Sequence, residues 1–299
     1  MSIIIAHLRL MRPANIITAI ADILAGFAVS GAALQFFESQ PPELLNSLLW
    51  LIIATIGLYG GGIVFNDVFD AELDRVERPE RPIPSGKASL VSASVLAGIL
   101  LLIGVLAAWQ VSFLSGIIAL IVAALAILYN AWGKHQLVIG PINMGLCRGG
   151  NLLLGMGVFP EVLQELWYIA LLPIVYIAAI TMISRGEVHG GNKKAIIGGA
   201  LMYGVIILAI ILLAFLSEVA WWQVFPFVIL FSFLIFNPLI AALKRQEPKL
   251  IGKAVKAGVL SLIILNASLA TVFAGWLYGI IVLLLLPVSL GIAKNFSVT

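Results

Sequence analysis

Ten apolar runs, each close to the roughly 20 residues that carry a helix across a bilayer, follow one another along the chain. They lie at roughly 15–37, 46–66, 89–109, 112–130, 137–159, 165–184, 195–216, 220–243, 254–274 and 277–293. Only Gly275 and Trp276 separate the last two, so the pattern predicts nine or ten spans. Backbone amides and carbonyls find no water in hydrocarbon, so runs of this length must be helical. The expected fold is an all-α, polytopic membrane bundle. Composition agrees: charged residues are 10% of the chain, against about 25% in soluble domains. The connections are short and no Ser/Gly linker interrupts the series, so residues 1–299 are expected to form one domain. His7, Arg9, Arg12 and Pro13 interrupt the first apolar residues, and the following run lacks a small-residue cleavage signal, which predicts a retained helix. The lone Cys147 permits no intramolecular disulfide.

Basic residues set the orientation. With the N-terminus cytoplasmic, Arg9 and Arg12 lie inside, as do the clusters Arg75–Lys87, Lys193–Lys194 and Lys244–Lys256, together with Lys134, Arg185 and Lys294. The opposite connections, near 38–46, 110, 160–165, 217–220 and 275, hold no Lys or Arg. Apart from Lys256, at the edge of the ninth run, only Arg148 falls inside a span. The basic pI, near 9.0, therefore reflects membrane topology and requires no nucleic-acid partner.

Against this background one stretch stands out, Gly60–Lys87, GGGIVFNDVFDAELDRVERPERPIPSGK. Five of the fourteen acidic residues fall between Asp67 and Glu77. If 65–77 is one helix, Asn66, Asp67, Asp70 and Asp74 share an arc of roughly 100°. Oxygen-only ligands of this kind favour a hard cation, Mg²⁺ before Ca²⁺, because Mg²⁺ takes a few carboxylates plus substrate phosphates. A solvated helix end pairing its acids with nearby arginines fits the same residues.

Buried charge is the next signal, since intramembrane ionisable groups face a bundle interior or a wet cavity. Asp22 and Arg148 fit either a structural pairing, with each other or with backbone and amide groups such as Asn143 and Asn151, or the lining of a cavity. A second polar cluster, ISRGEVHGGNKKA at 183–195, follows the sixth run and offers Glu187, His189, Asn192, Lys193 and Lys194.

The run NDVFDAELDRVERPERPIPSG resembles the first aspartate-rich motif of the UbiA superfamily of intramembrane prenyltransferases, Asn-Asp-x-x-Asp-x-x-x-Asp followed by Arg-Pro-x-x-Pro-Ser-Gly. The resemblance extends to MRPAN at 11–15, to 129–134, to GGNLLLG at 149–155 and to the loop after the sixth run. The wording SRGEVHGGNKK, with RPANIITAIADILAG, resembles the EboC-type branch. The resemblance implies a helical bundle whose central cavity is capped by cytoplasmic loops. It implies transfer of a prenyl group from an isoprenyl diphosphate to an aromatic or other lipophilic acceptor in the membrane, with Mg²⁺ as cofactor. Carried over residue by residue, Asn66, Asp67, Asp70 and Asp74 hold metal and diphosphate, with Glu187 and Asn192 standing in for the second motif. Asn66, Asp70, Asp74 and Glu187 are the expected catalytic group. Arg75, Arg81, Tyr129, Lys134, Arg148, Arg185 and Lys193 are the expected substrate contacts. The family's second motif normally holds two aspartates as Asp-x-x-x-Asp, and this chain has none there, so a second metal would meet less ligand charge. Two other readings remain, a non-catalytic isoprenoid- or lipid-binding protein of the same fold and a transport-related one. Carboxylates gathered beside arginines at one membrane face suit diphosphate capture better than a midplane transport site.

Overall fold

The computed structural model describes residues 3–187, 190, 191 and 193–294, all helix, turn or coil with no strand among them. The helices are α1 (Ile3–Met11), α2 (Pro13–Val29), α3 (Ala32–Ser39), α4 (Pro42–Phe69), α5 (Ala71–Glu77), α6 (Leu90–Trp109) and α7 (Phe113–Ala131). After a short turn follow α8 (Ile139–Met156), α9 (Pro160–Leu166), α10 (Leu171–Ser184), α11 (Lys193–Leu216), α12 (Phe225–Arg245), α13 (Pro248–Leu283) and α14 (Leu285–Ala293). The chain is a multi-pass membrane protein. Along α11, Leu201, Val205, Leu208 and Leu212 are exposed at helical spacing while Tyr203, Ile206 and Ile210 are buried on the other side. Apolar residues on both faces, one of them unpartnered, suit a helix that has lipid as its solvent.

Seven helical stretches among the described residues are long and apolar enough to cross a membrane, or eight if the bent pair α1–α2 is one span. The nine or ten spans of the sequence reading are thus not reproduced as a count, for two reasons. Helix α8 carries Asn143, Arg148, Asn151 and five glycines in eighteen residues, which makes it too polar to qualify. The last two runs join as one stretch, Pro248–Ala293, interrupted where Gly275 adopts φ 79°, ψ 171°. Only glycine adopts that conformation readily. The Trp276 amide there takes Gln223 Oε1 at 3.0 Å.

Helix α2 is the axis, with fourteen of its seventeen residues buried. It packs against α4, α8, α13 and α14. Its crossing with α8 depends on glycine. A Cβ on Gly26 would collide with the Leu152 carbonyl, and one on Gly155 would lie 2.5 Å from the Ile23 carbonyl oxygen. Removing both side chains lets the backbones touch, the usual route to helix association in membranes. That contact brings Asp22 and Asn151 within hydrogen-bond reach.

Candidate functional site

The site begins at a break. A residue before proline is disfavoured in the helical region, and Arg12, between α1 and α2, leaves it for φ 47°, ψ 68°. The left-handed conformation costs an arginine roughly 1–2 kcal/mol. It bends α1 against α2 by 46° and frees the Arg12 guanidinium to reach Asp67 Oδ1 at 2.6 Å.

The acidic stretch is not one helix. Helix α4 ends at Phe69, and Asp70, at φ −90°, ψ 4°, joins it to α5. Hydrogen bonding passes through the junction, from the Asp70 amide to the Asn66 carbonyl at 3.0 Å and from the Asp74 amide to the Asp70 carbonyl at 2.8 Å. The residues on the polar arc nonetheless meet a shared set of cations. Arg81 Nη1 lies 2.6 Å from Asp74 Oδ2 and 3.3 Å from Asp67 Oδ1. Lys134 Nζ pairs with Asp70 Oδ1. Asn66 donates to Asn130 Oδ1 at 3.1 Å, and Asn130 donates to the Gly62 carbonyl at 2.9 Å. Asp67, Asp70 and Asp74 thus meet Arg12, Arg81 and Lys134 at one end of the bundle, and their charges balance. A cavity of about 230 Å³ opens beside them, lined by Arg12, Asn66, Tyr129 and Asn130 near the acids and by Leu58, Val122 and Asn151 farther on.

Several expected contacts lie elsewhere. Arg75 pairs with Glu72 at 3.0 Å on the exposed face of α5, apart from the cluster. Arg148 lies apart as well. It is buried, with Nη1 2.9 Å from Asp22 Oδ2, Nη2 donating to Thr18 Oγ1 at 2.6 Å and Cζ 4.7 Å from the centre of the Tyr59 ring. Asp22 also accepts from Asn151 at 3.0 Å and from Asn266 at 2.6 Å. Of the two readings of Asp22 and Arg148, the mutual pairing is the one observed. Arg185 is committed to the Gln136 carbonyl at 2.7 Å, tying the loop after α10 to the α7–α8 connection. Lys193 starts α11, exposed.

Asn192 and His189 lie outside the described residues. Glu187 is half-buried beside Gly252 of α13. Burial raises its carboxyl above the ordinary value, and Arg78 opposes the shift. Among the described residues no three His, Cys, Asp or Glu side chains gather closely enough to hold a metal by themselves, neither Asp67, Asp70 and Asp74 nor a set that includes Glu187. The Glu187 loop is nevertheless anchored, the Gly191 amide donating to the Gln246 carbonyl at 3.2 Å. Residue-by-residue reading assigned no role to Arg12, Tyr59 or Asn130. The Arg-Pro step that interrupts the first apolar run was a usable signal for Arg12, and adjacency to Tyr129 was one for Asn130.

A family model described as the UbiA prenyltransferase family matches residues 24–257. The digeranylgeranylglyceryl phosphate synthase of Methanosarcina mazei is 33% identical over 159 residues, 51% of this chain and 54% of that protein. The enzyme of the same description from Methanothrix thermoacetophila is 38% identical over 148 residues, 50% of this chain and 52% of that protein. The chain thus spans about half the length of the curated relatives it matches. The solved structure of a UbiA homolog from Archaeoglobus fulgidus, bound to GPP and Mg²⁺, superposes with a TM-score of 0.66 at 13% identity, over 88% of this chain and 99% of that one, a likeness of fold. With the family model covering most of its length, the chain belongs to the UbiA prenyltransferase family.

Proposed function

We propose that this chain, acting as one membrane domain over residues 1–299, transfers a prenyl group from an isoprenyl diphosphate to a lipophilic acceptor, with Mg²⁺ and with its acidic end facing the cytoplasm. The observation that carries the reading is the set of balanced ion pairs, Arg12–Asp67–Arg81–Asp74 and Lys134–Asp70, at the mouth of a largely apolar cavity. The relatives named as synthases and the homolog bound to GPP and Mg²⁺ support it.

The residues fit the metal. The donors are all oxygen, and the observed ion pairs run through Oδ1 of Asp67, Oδ1 of Asp70 and Oδ2 of Asp74, leaving the second oxygen of each as a donor. Asn66, Asp70 and Asp74 would hold Mg²⁺, with Asp67 beside them. A shell short of protein ligands suits an ion that is completed by phosphate and water. When bound, the metal neutralises negative charge on the diphosphate. Lys134, Arg81 and Arg12 can exchange their carboxylates for diphosphate oxygens and stabilise charge that grows as the C–O bond breaks. The apolar wall keeps water from the allylic cation, and the Tyr129 ring, on the same wall, stabilises positive charge through its face.

The isolation of Glu187 favours a second reading, an isoprenyl-diphosphate binder without turnover. One assay separates the two. The purified chain is given allylic diphosphates of several lengths, Mg²⁺ and a membrane lipid extract, and products are read by mass spectrometry. Prenylated lipid is expected; donor binding without product from any extract would establish the binder.

A further inference from the structure

A second groove, of about 330 Å³, lies between α12 and α13 and is lined by Asn237, Ile240, Ala241, Lys244, Arg245 and Leu250. The first five recur at i, i+3, i+4, i+7 and i+8, so they form one stripe of α12, and Leu250 closes it from α13. The stripe continues along the helix through Ile229 and Phe233, both exposed. Asn237, Lys244 and Arg245 are exposed too. Along its axis α12 therefore offers hydrocarbon first, then a carboxamide, then two cations about 10 Å farther on. A phospholipid lying beside it presents acyl chain, ester and phosphate in the same order.

Cations at helix ends follow from membrane orientation alone, but two observations go further. The Asn237 side chain makes no hydrogen bond among the described residues, although it stands on the lipid-facing stripe, where an unsatisfied polar group is costly. An ester carbonyl in the groove would accept from its Nδ2. The charge is also unbalanced. Residues 237–256 hold five cations and one acid, Glu247, and neither Lys244 nor Arg245 forms an ion pair among the described residues. At the acids, by contrast, Arg12, Arg81 and Lys134 are all paired. Arg245 suits a phosphate in particular, because its planar guanidinium can hold two phosphate oxygens at once. A zwitterionic headgroup would bring its own cation to a lining that has no acid to receive it. A second copy packed about a two-fold axis would set Lys244 and Arg245 against their own kind.

We infer that the α12–α13 groove binds an anionic phospholipid of the surrounding leaflet, with its phosphate on Lys244 and Arg245 and an ester carbonyl on Asn237. The groove shares no lining residue with the cavity beside the acids and requires only a chain that crosses the membrane, so it stands whether or not prenyl transfer occurs.

The test titrates the full chain in detergent micelles with dioleoylphosphatidylglycerol or dioleoylphosphatidylcholine, and native mass spectrometry counts the bound lipid. Wild type is expected to hold one phosphatidylglycerol more tightly than any phosphatidylcholine. Lys244→Gln with Arg245→Gln is expected to weaken that step about thirtyfold, the weight of two cations at a membrane surface. Asn237→Leu is expected to weaken it about fivefold, the effect of one hydrogen bond. Lys253→Gln with Lys256→Gln removes as much charge from α13 outside the groove lining and is expected to leave the step unchanged. All five side chains are exposed, so each variant should fold. Equal losses in the two double variants would reduce the effect to net charge and overturn the inference. Equal affinity for the two lipids would do the same, as would unchanged binding without Lys244 and Arg245. Glycerol phosphate, a headgroup without tails, is expected not to displace the lipid. Displacement at equal concentration would make the groove a site for soluble anions, and a lipid-free dimer lost on changing Lys244 and Arg245 would make it an interface between copies; either result overturns the lipid assignment.

Discussion

The Asp22–Arg148 pair gives the sharpest energetic prediction. Both side chains are almost fully buried, at 0% and 2% exposure, and their charged atoms stand 2.9 Å apart. Asp22→Asn keeps the shape but leaves a guanidinium whose remaining partners are the Thr18 hydroxyl and the Tyr59 ring. A buried charge stripped of its partner costs about 3–5 kcal/mol, and Asp22→Asn is expected near the top of that range. Arg148→Met leaves a carboxylate that still accepts from Asn151 and Asn266, so about 3 kcal/mol is expected. Independent sites would then add to about 8 kcal/mol in the double variant, whereas partners lost together should cost far less, because a buried ion pair replaced as a whole is often close to neutral. Equilibrium unfolding in mixed micelles, with all four proteins measured under one set of conditions, yields the coupling energy. A coupling below about 0.5 kcal/mol, the scatter of independent sites, would refute the claim that this pair joins α2 to α8.

The remaining predictions concern the acids, the loop and the orientation. Asp70→Ala, which strips Lys134 of its partner, should abolish Mg²⁺-dependent diphosphate binding in a titration with a non-hydrolysable donor, whereas Glu72→Ala, exposed on α5, should change it little. Glu187, raised by burial, should make wild type lose stability against Glu187→Gln as pH rises from the carboxyl's unfolded value through its raised folded value. The two proteins should be equal at lower pH, and thermal midpoints across that range check the sign. Cysteines replacing Glu43 and Glu161 should label from outside intact cells and one replacing Arg78 only from inside; outside labelling at Arg78 would reverse the orientation.

What the sequence makes legible follows from how local each signal is. Span-length apolar runs and the Asn66–Asp74 spacing are local; the first led to the all-helical fold that is observed, and the second picked out Asp67, Asp70 and Asp74, which meet Arg12, Arg81 and Lys134. The continuous helix over 65–77 was less secure, because a polar arc constrains which face a residue occupies without requiring the backbone to stay straight at Asp70. Arg148 could be recognised as an unusual charge within a span, but its partner sits 126 residues away at Asp22 and meets it only because Gly26 and Gly155 let two backbones touch. No local pattern could choose between pairing and cavity lining there. Arg75 and Arg81 read alike in sequence. The turn after α5 alone decides that Arg81 folds back onto Asp67 and Asp74 while Arg75 points away with Glu72.

That turn also explains how so charged a cluster is held at the end of an apolar bundle. Three carboxylates massed without cations would repel one another and shed water at high cost, and three cations alone would do the same. Interleaved, Arg12, Arg81 and Lys134 let Asp67, Asp70 and Asp74 be largely buried while each retains a partner. On the proposed function, the same residues would exchange partners within a set whose total charge is near zero. Asp67, Asp70 and Asp74 would hold the metal and Arg12, Arg81 and Lys134 would hold the phosphate, so few charges would be left without a partner. Because Arg12 comes from the α1–α2 break, Arg81 from the turn after α5 and Lys134 from the α7–α8 connection, the exchange draws on three separate segments of the fold. A positional error in any one of them would therefore be felt at the same phosphate oxygens.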